Sequence, residues 1–277
     1  MGPELKRRIL SAIVLAVVVL AATWYGGFWF EIVAALMGVL IYYEWSTITR
    51  LSERNFRSNA FGWLVVALIA LDIVASDGTL SVPILGGATI TAILLVLLGK
   101  ANRWLPGGIF YAGLSAISLA AIRGDDQAGF VATLFIFAVV WATDILAYFV
   151  GRALKGPKLA PKISPGKTWS GAIGGTISGV VASSLLTLGV FSRLSFWTVA
   201  IAFILSVASQ IGDLFESFIK RRFGVKDSSR LIPGHGGVMD RVDGLVFACF
   251  AAFLLTLAYA AMRGHADVSV AGFLFGF

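Results

Sequence analysis

Nine stretches of this chain are apolar over close to the thickness of a bilayer, and this limits its possible folds more than any other feature. A helix needs about 20 apolar residues to cross the hydrocarbon core, within a range of roughly 17–25. The candidate spans are Ile9–Tyr25, Phe28–Tyr43, Ala60–Ala75, Val82–Leu98, Leu105–Ile122, Gly129–Val150, Gly171–Phe191, Phe196–Gly212 and Gly244–Met262. Hydrophobic residues make up 58% and charged residues 13%, with a mean hydropathy of +0.89. One soluble core cannot cover that much apolar side chain. A soluble enzyme and a disordered chain are therefore excluded. The single Cys249 lies in an apolar run and offers no disulfide or zinc framework. The 31 glycines suit closely packed transmembrane helices. The expected fold class is all-α: a polytopic integral membrane protein of about nine transmembrane helices.

Charge sets the expected orientation. The net charge of +7 is read as topology rather than nucleic-acid binding, because Lys and Arg collect in cytoplasmic loops. With the N-terminus cytoplasmic and strict alternation, the inner segments hold Lys6, Arg7, Arg8, Arg50, Arg54, Arg57, Lys100, Arg103, Arg152, Lys155, Lys158, Lys162 and Lys167. They also hold Lys220, Arg221, Arg222, Lys226, Arg230 and Arg241, while only Arg123, Arg193 and Arg263 fall outside. Nineteen of the 22 cations are thus inside, and losing one span would scramble the split. The C-terminus is expected outside. Lys6, Arg7 and Arg8 resemble the charged start of a signal peptide, but Thr-Trp-Tyr-Gly-Gly follows without a small-x-small cleavage site, so a retained helix is expected. The division expected is 1–125 for the first five helices and 126–277 for a catalytic part with cytoplasmic loops 151–170 and 213–243.

Polar residues concentrate in those two loops. Glu31 and Asp72 lie near the outer ends of their spans, where they are expected to reach the interface or cap a helix. Asp144 lies deeper, in the sixth span, where an ionisable group is costly and points to function, the alternative being a structural partner for a basic residue. If the eighth span continues past the membrane, Asp213, Glu216, Ser217 and Lys220 share one face. Pro233-Gly234-His235-Gly236-Gly237 reads as a tight loop, and Asp240 and Asp243 follow three apart as the ninth span begins. Carboxylates with phosphate oxygens make a Mg²⁺ site, while Lys, Arg and exposed N–H groups neutralise phosphates. These are the parts for transfer at phosphorus. Acidic helix caps within a positive-inside loop would explain either pair of carboxylates alone, but not the glycine loop followed by Asp-Arg-x-Asp.

The same residues carry a resemblance. Ser217, Lys220-Arg221, Lys226-Asp227, Leu231, Pro233-Gly234-His235-Gly236-Gly237, Asp240-Arg241 and Asp243 together resemble the defining motif of the phosphatidate cytidylyltransferases, or CDP-diacylglycerol synthases. Thr143-Asp144 with Ala147-Tyr148, the run Lys158 to Thr168, and Gln210-x-Gly212-Asp213 are similar to the family's upstream pieces. The match covers roughly the last half of the chain. Ser170 stands where the family commonly has Glu, and Ile145 where it usually has Thr or Ser.

The resemblance implies that CTP and phosphatidic acid give CDP-diacylglycerol and pyrophosphate. It implies Mg²⁺, with a monovalent cation as an optional second ion. It further implies a homodimer in the bilayer of a bacterial-type cytoplasmic (inner) membrane, with the site facing the cytosol and no nucleic-acid partner. Asp213 and Asp240 are assigned as Mg²⁺ ligands, supported by Asp243 and Asp144. Lys167, Lys220, Lys226 and Arg241 are assigned to phosphate oxygens, with Ser217 also on the substrate side. His235 is assigned to a phosphate or the leaving group, and Gly234, Gly236 and Gly237 to shaping the loop around the substrate. The alternatives are a CTP-dependent polyprenol-type lipid kinase, whose product carries no cytidine, and a membrane transporter. A transporter usually places its ligands at the midplane between repeats, and none is visible here. The topology predicts that a membrane-impermeant thiol reagent applied to intact cells labels a cysteine in the C-terminal tail and spares one in the loop 233–237. The reverse pattern would end that reading.

Overall fold

The computed structural model describes residues 3–232, 234, 236–264 and 268–276. Eleven helices and one two-stranded ribbon make up these residues: α1 (Pro3–Tyr25), α2 (Gly27–Ile48), α3 (Leu51–Arg54), α4 (Phe56–Ala75), α5 (Ser81–Leu97), α6 (Leu105–Arg123) and α7 (Gln127–Leu154), then β1 (Lys158–Ala160) and β2 (Ser164–Thr168), then α8 (Trp169–Phe191), α9 (Phe196–Arg222), α10 (Met239–Arg263) and α11 (Val270–Phe275). Among the described residues, α2, α4, α6, α7, α8, α9 and α10 are long and apolar enough to cross a membrane. The apolar part of α1, Ile13–Tyr25, and the 17-residue α5 are shorter. The protein is an all-α integral membrane protein, apart from the small β-ribbon.

Several helices overrun their apolar cores, because hydropathy marks the membrane and capping marks the helix. Asn55 accepts from the Ser58 N–H, Asp126 from Gly129 and Thr168 from Gly171, each satisfying an amide that the first turn leaves unpaired. α2 continues five residues beyond the expected end at Tyr43, α9 runs ten past Gly212, and α10 starts at Met239 rather than Gly244. The ribbon and α11 have no counterpart in the hydropathy reading. Both are too short to leave a periodic signal, and the segment 151–170 is expected as a functional cytoplasmic loop without regular structure. The strands pair antiparallel, with Lys158 opposite Thr168 and Ala160 opposite Ser164.

The chain forms two compact units. The first comprises Met1–Ala120 and Arg222–Arg241, and the second Ala121–Arg221 and Val242–Phe277. In the first unit α2 packs on α4 and α6. The Tyr42 ring lies where a side chain on Gly62 would project, and Gly38 of α2 faces the Ala112 carbonyl of α6. Trp45, 2% exposed, fills the space left by Gly107 and Gly108 and donates its indole N–H to the Trp104 carbonyl (3.0 Å). Asp72 lies in the last turn of α4 and binds serine hydroxyls rather than the unpaired amides of a helix start. It accepts from the Ser76 hydroxyl at 2.8 Å and from Ser81, the first residue of α5, at 2.7 Å.

In the second unit α7 and α8 form the main pair. Gly171, Gly175 and Gly179 repeat every four residues along the buried face of α8, and four is the spacing that keeps residues on one side of a helix. A Cβ on Gly175 would lie 2.7 Å from the Thr143 carbonyl oxygen, and one on Gly179 would lie 2.8 Å from that of Val139. Backbones this close give dispersion contact where lipid offers no hydrophobic drive. α9 joins through the Thr143–Ser206 hydroxyl pair (2.8 Å) and through Gln210, which donates to Thr176 (2.8 Å). α11 is buried and accepts from the Trp197 indole at the Phe273 carbonyl (2.6 Å). Gly175→Val should therefore separate α7 from α8 and lower stability by about 1–3 kcal/mol. The check is the unfolding midpoint of the detergent-purified protein, and an unchanged midpoint would contradict the packing.

Candidate active site

In the second unit four of the expected residues come together. Lys167 is in β2, one residue before the Thr168 cap of α8, and its ammonium pairs with the Asp213 carboxylate on α9. Both side chains remain partly accessible, at 25% and 33%. Asp144 of α7 and Asp243 of α10 both interact electrostatically with Asp213 and with Lys167. Local sequence explains the convergence. Gly212 lacks a side chain where α9 meets the Asp243 carbonyl and Phe247 of α10, so Asp213, the next residue, is carried beside Asp243. Gly244 performs the same service for α10 against Ser209.

Three carboxylates around one ammonium leave two negative charges without a partner within the cluster. Like charges so placed repel unless a cation or proton intervenes. Among the described residues no three Asp, Glu, His or Cys side chains form a tight metal cage. Mg²⁺ usually takes one or two carboxylates and completes its shell with water and phosphate oxygens. The carboxylates that share Lys167 are donors of the kind that could hold such an ion.

Further along α9, Ser217 is half-buried and the Lys220 ammonium lies 2.6 Å from the Glu216 carboxylate. Glu216 is 1% exposed, so in this structure the Lys220 charge offsets a buried anion. Asp213, Glu216, Ser217 and Lys220 do share the continuous helix that the spacing required.

In the first unit the loop residues are organised by two carboxylates. Asp240 Oδ2 accepts from the Ser228 N–H, the Ser228 hydroxyl and the Gly237 N–H, all at 2.8 Å. Gly234 and Gly236 have φ of 78° and 83°, the left-handed region that glycine enters without strain. A side chain on Gly236 would crowd Asp240, and one on Gly237 would overlap Ser228 Oγ and Glu44 Oε1. The Gly237 amide, expected near substrate, is thus committed to Asp240, and that glycine shapes the loop. Lys226 and Arg241 are exposed. His235 lies outside the described residues.

Glu44 is the residue that sequence reasoning missed. It has no solvent exposure, yet Oε1 accepts from the Ser229 hydroxyl (2.6 Å) and the Val238 N–H (2.7 Å). Oε2 accepts from the Ser228 hydroxyl (2.9 Å) and the Met239 N–H (2.7 Å). Ending the second span at Tyr43 put Glu44 outside the membrane, among loop residues. The available signal was a lone carboxylate between Tyr43 and Trp45. Ser170, in the place of the family's common Glu, hydrogen-bonds to the Lys155 carbonyl and to Thr168 (3.1 Å), steadying the start of α8.

The model of the cytidylyltransferase family matches residues 6–259. The chain belongs to the cytidylyltransferase family. It is 47% identical over 260 residues to a phosphatidate cytidylyltransferase of Brucella abortus biovar 1 (strain 9-941), covering 93% of this chain and 95% of that one. The same name is carried by a Haemophilus influenzae relative, 36% identical over 285 residues (88% and 96% covered), and a Bacillus subtilis relative, 32% identical over 266 residues (92% and 98% covered). Membership makes the protein a nucleotidyltransferase, and the match includes the first five helices, for which the motifs offered little.

For this cytidylyltransferase, Lys167→Ala and Arg241→Ala should each lower nucleotide affinity or turnover about 10–100-fold, as expected for loss of a charged hydrogen bond worth about 1.5–3 kcal/mol. Size-exclusion chromatography should show both variants assembled. Normal kinetics in both would return them to the role of positive-inside loop charges.

Proposed function

We propose that the protein transfers the cytidylyl group of CTP to phosphatidic acid, forming CDP-diacylglycerol and releasing pyrophosphate for phospholipid synthesis. The observation that carries this reading is the cluster of Asp144, Lys167, Asp213 and Asp243, found in a chain whose relatives bear the name phosphatidate cytidylyltransferase. Those names do not favour the lipid-kinase alternative. An apolar groove between α8 and α9 adds support for a lipid substrate. It measures about 660 Å³ and is walled by residues such as Ile173, Ile177, Val181 and Phe203. Trp169, two residues after Lys167, and Leu214, the residue after Asp213, also line it.

In the proposed reaction a phosphatidate oxygen attacks the α-phosphorus of CTP, and the bond to the β-phosphate oxygen breaks as pyrophosphate leaves. The attacking phosphate is already an anion, so no strong base is needed. The difficulty is bringing two anions together. Lys167 and Arg241 answer it by neutralising phosphate oxygens, with Lys220 and Lys226 as further cations of the same motif. Asp213 and Asp240 are proposed as the Mg²⁺ ligands, with Asp144 and Asp243 in support. Bound there, the ion would neutralise charge on the triphosphate and on the leaving group. Nine spans, a cytoplasmic N-terminus, an outer C-terminus, a site open to the cytosol of a bacterial inner membrane and a homodimer belong to the same proposal. The charge split supports the orientation.

The test is direct. Purified protein with phosphatidic acid, Mg²⁺ and α-³²P-CTP should yield a labelled lipid that co-migrates with CDP-diacylglycerol, whereas γ-³²P-CTP should label no lipid. Label entering lipid from the γ position would instead identify a kinase. Asp213→Asn and Asp240→Asn should each lower transfer about 100-fold or more while membrane insertion persists. Asp72→Asn should stay near wild type, because the Ser76 and Ser81 hydroxyls can reorient around an amide.

A further inference from the structure

We infer that Glu44, on α2 in the N-terminal part of the chain, is a positioning residue for cytidylyl transfer. It sets the segment 228–239 and, through the Ser228 hydroxyl, the carboxylate of Asp240. The inference rests on the functional reading above. Its basis is the hydrogen-bond accounting at Glu44. A carboxylate with no solvent exposure is costly unless its lone pairs are filled. Glu44 is met by three donors of its own, the Ser229 hydroxyl and the Val238 and Met239 amides, and by the Ser228 hydroxyl, whose one proton it shares with Asp240 Oδ2; all come from 228–239. The Val238 and Met239 amides stand at the start of α10, where N–H groups lack helical partners and negative charge is favoured. Glu44 therefore caps α10 from another helix.

The coupling to Asp240 is one atom wide. Ser228 Oγ lies 2.9 Å from Glu44 Oε2 and 2.8 Å from Asp240 Oδ2. The Ser228 N–H and the Gly237 N–H hold the same Asp240 oxygen. Movement of Glu44 is thereby transmitted to the orientation of Asp240. An amide cannot replace the acid. Whichever way a glutamine is turned, its NH₂ meets one backbone N–H, Val238 or Met239, that can only donate. The serines can rotate to accept, but a backbone amide cannot.

The experiment compares wild type with Glu44→Gln, Glu44→Asp and Ser228→Ala in the full chain. Glu44→Gln should lower kcat about 10–100-fold and raise the half-saturating Mg²⁺ concentration about tenfold, the effect expected when the support of a ligand is lost. Glu44→Asp keeps the charge and all acceptors and should recover part of both. Ser228→Ala leaves the amides of α10 capped but cuts the link to Asp240, so the Mg²⁺ requirement should rise with little change in the unfolding midpoint. Hydrogen exchange on metal-free protein gives a readout independent of activity. In Glu44→Gln the amides of Ser228, Gly237, Val238 and Met239 should exchange at least tenfold faster, while those of α7 and α8 stay unchanged. Unaltered kcat and Mg²⁺ dependence in Glu44→Gln and Ser228→Ala would overturn the inference. So would loss of folded protein with wild-type constants in the surviving fraction, which assigns Glu44 to stability alone. A wild-type protein that transfers no cytidylyl group overturns the functional reading instead, and the exchange result then reports separately on the hold of Glu44 over its segment.

Discussion

The close approach of α7 and α8 is the constraint on which the second unit depends. Lipid-soluble helices gain nothing from burying apolar surface against each other, so they need shape and backbone proximity to associate. Gly171, Gly175 and Gly179 supply that proximity against the carbonyls of Ala147, Thr143 and Val139. From it follow the alignment of Asp144 on α7 with the β-ribbon, the hydroxyl link from Thr143 to Ser206 on α9, and the place of Lys167 at the foot of α8. Gly212 and Gly244 repeat the device between α9 and α10. Small residues thus do twice the work expected of them: they hold helices together, and they deliver the charged residues that stand beside them in sequence.

The carboxylates divide by how their charge is met. Glu44 and Asp240 Oδ2 accept from backbone amides, whose direction is fixed, and from serine hydroxyls of the same segment. Glu216 has the ammonium of Lys220. Asp144, Asp213 and Asp243 share Lys167, so that cluster holds more carboxylates than cations. Bound dipoles favour rigidity, whereas unbalanced charge favours an exchangeable cation and the phosphates that follow it. The carboxylates therefore differ in their partners rather than in their residue type: Glu44 serves the scaffold, Asp240 is held by the loop and is also a proposed metal ligand, and the cluster around Lys167 is the other part of the proposed site.

Asp72 illustrates how far sequence carries such a distinction. Its place near a helix end marked it as structural, and its carboxylate is held by two serine hydroxyls that join the end of α4 to the start of α5. Glu44 defeats the same reasoning, because its partners lie more than 180 residues away. Gly237 differs again. A glycine loop beside cations reads as a phosphate cradle, yet its amide is spent on Asp240.

Much was determined by the sequence alone. Hydropathy defined the membrane class and most span positions, since transfer from water to lipid depends on local composition. The spacing of Asp213, Glu216, Ser217 and Lys220 on one helix followed from helical periodicity, and the gapless motif from Ser217 to Asp243 pointed to the family. What only the tertiary structure decided was pairing: that Lys167 meets Asp213, that Gly212 lets α9 reach Asp243, that a ribbon precedes α8, and that Glu44 anchors the start of α10. Pairing depends on which distant groups can satisfy one another once water is excluded. No local pattern encodes that, because the same carboxylate serves as cap, counter-ion or metal ligand according to the donors that the fold brings to it.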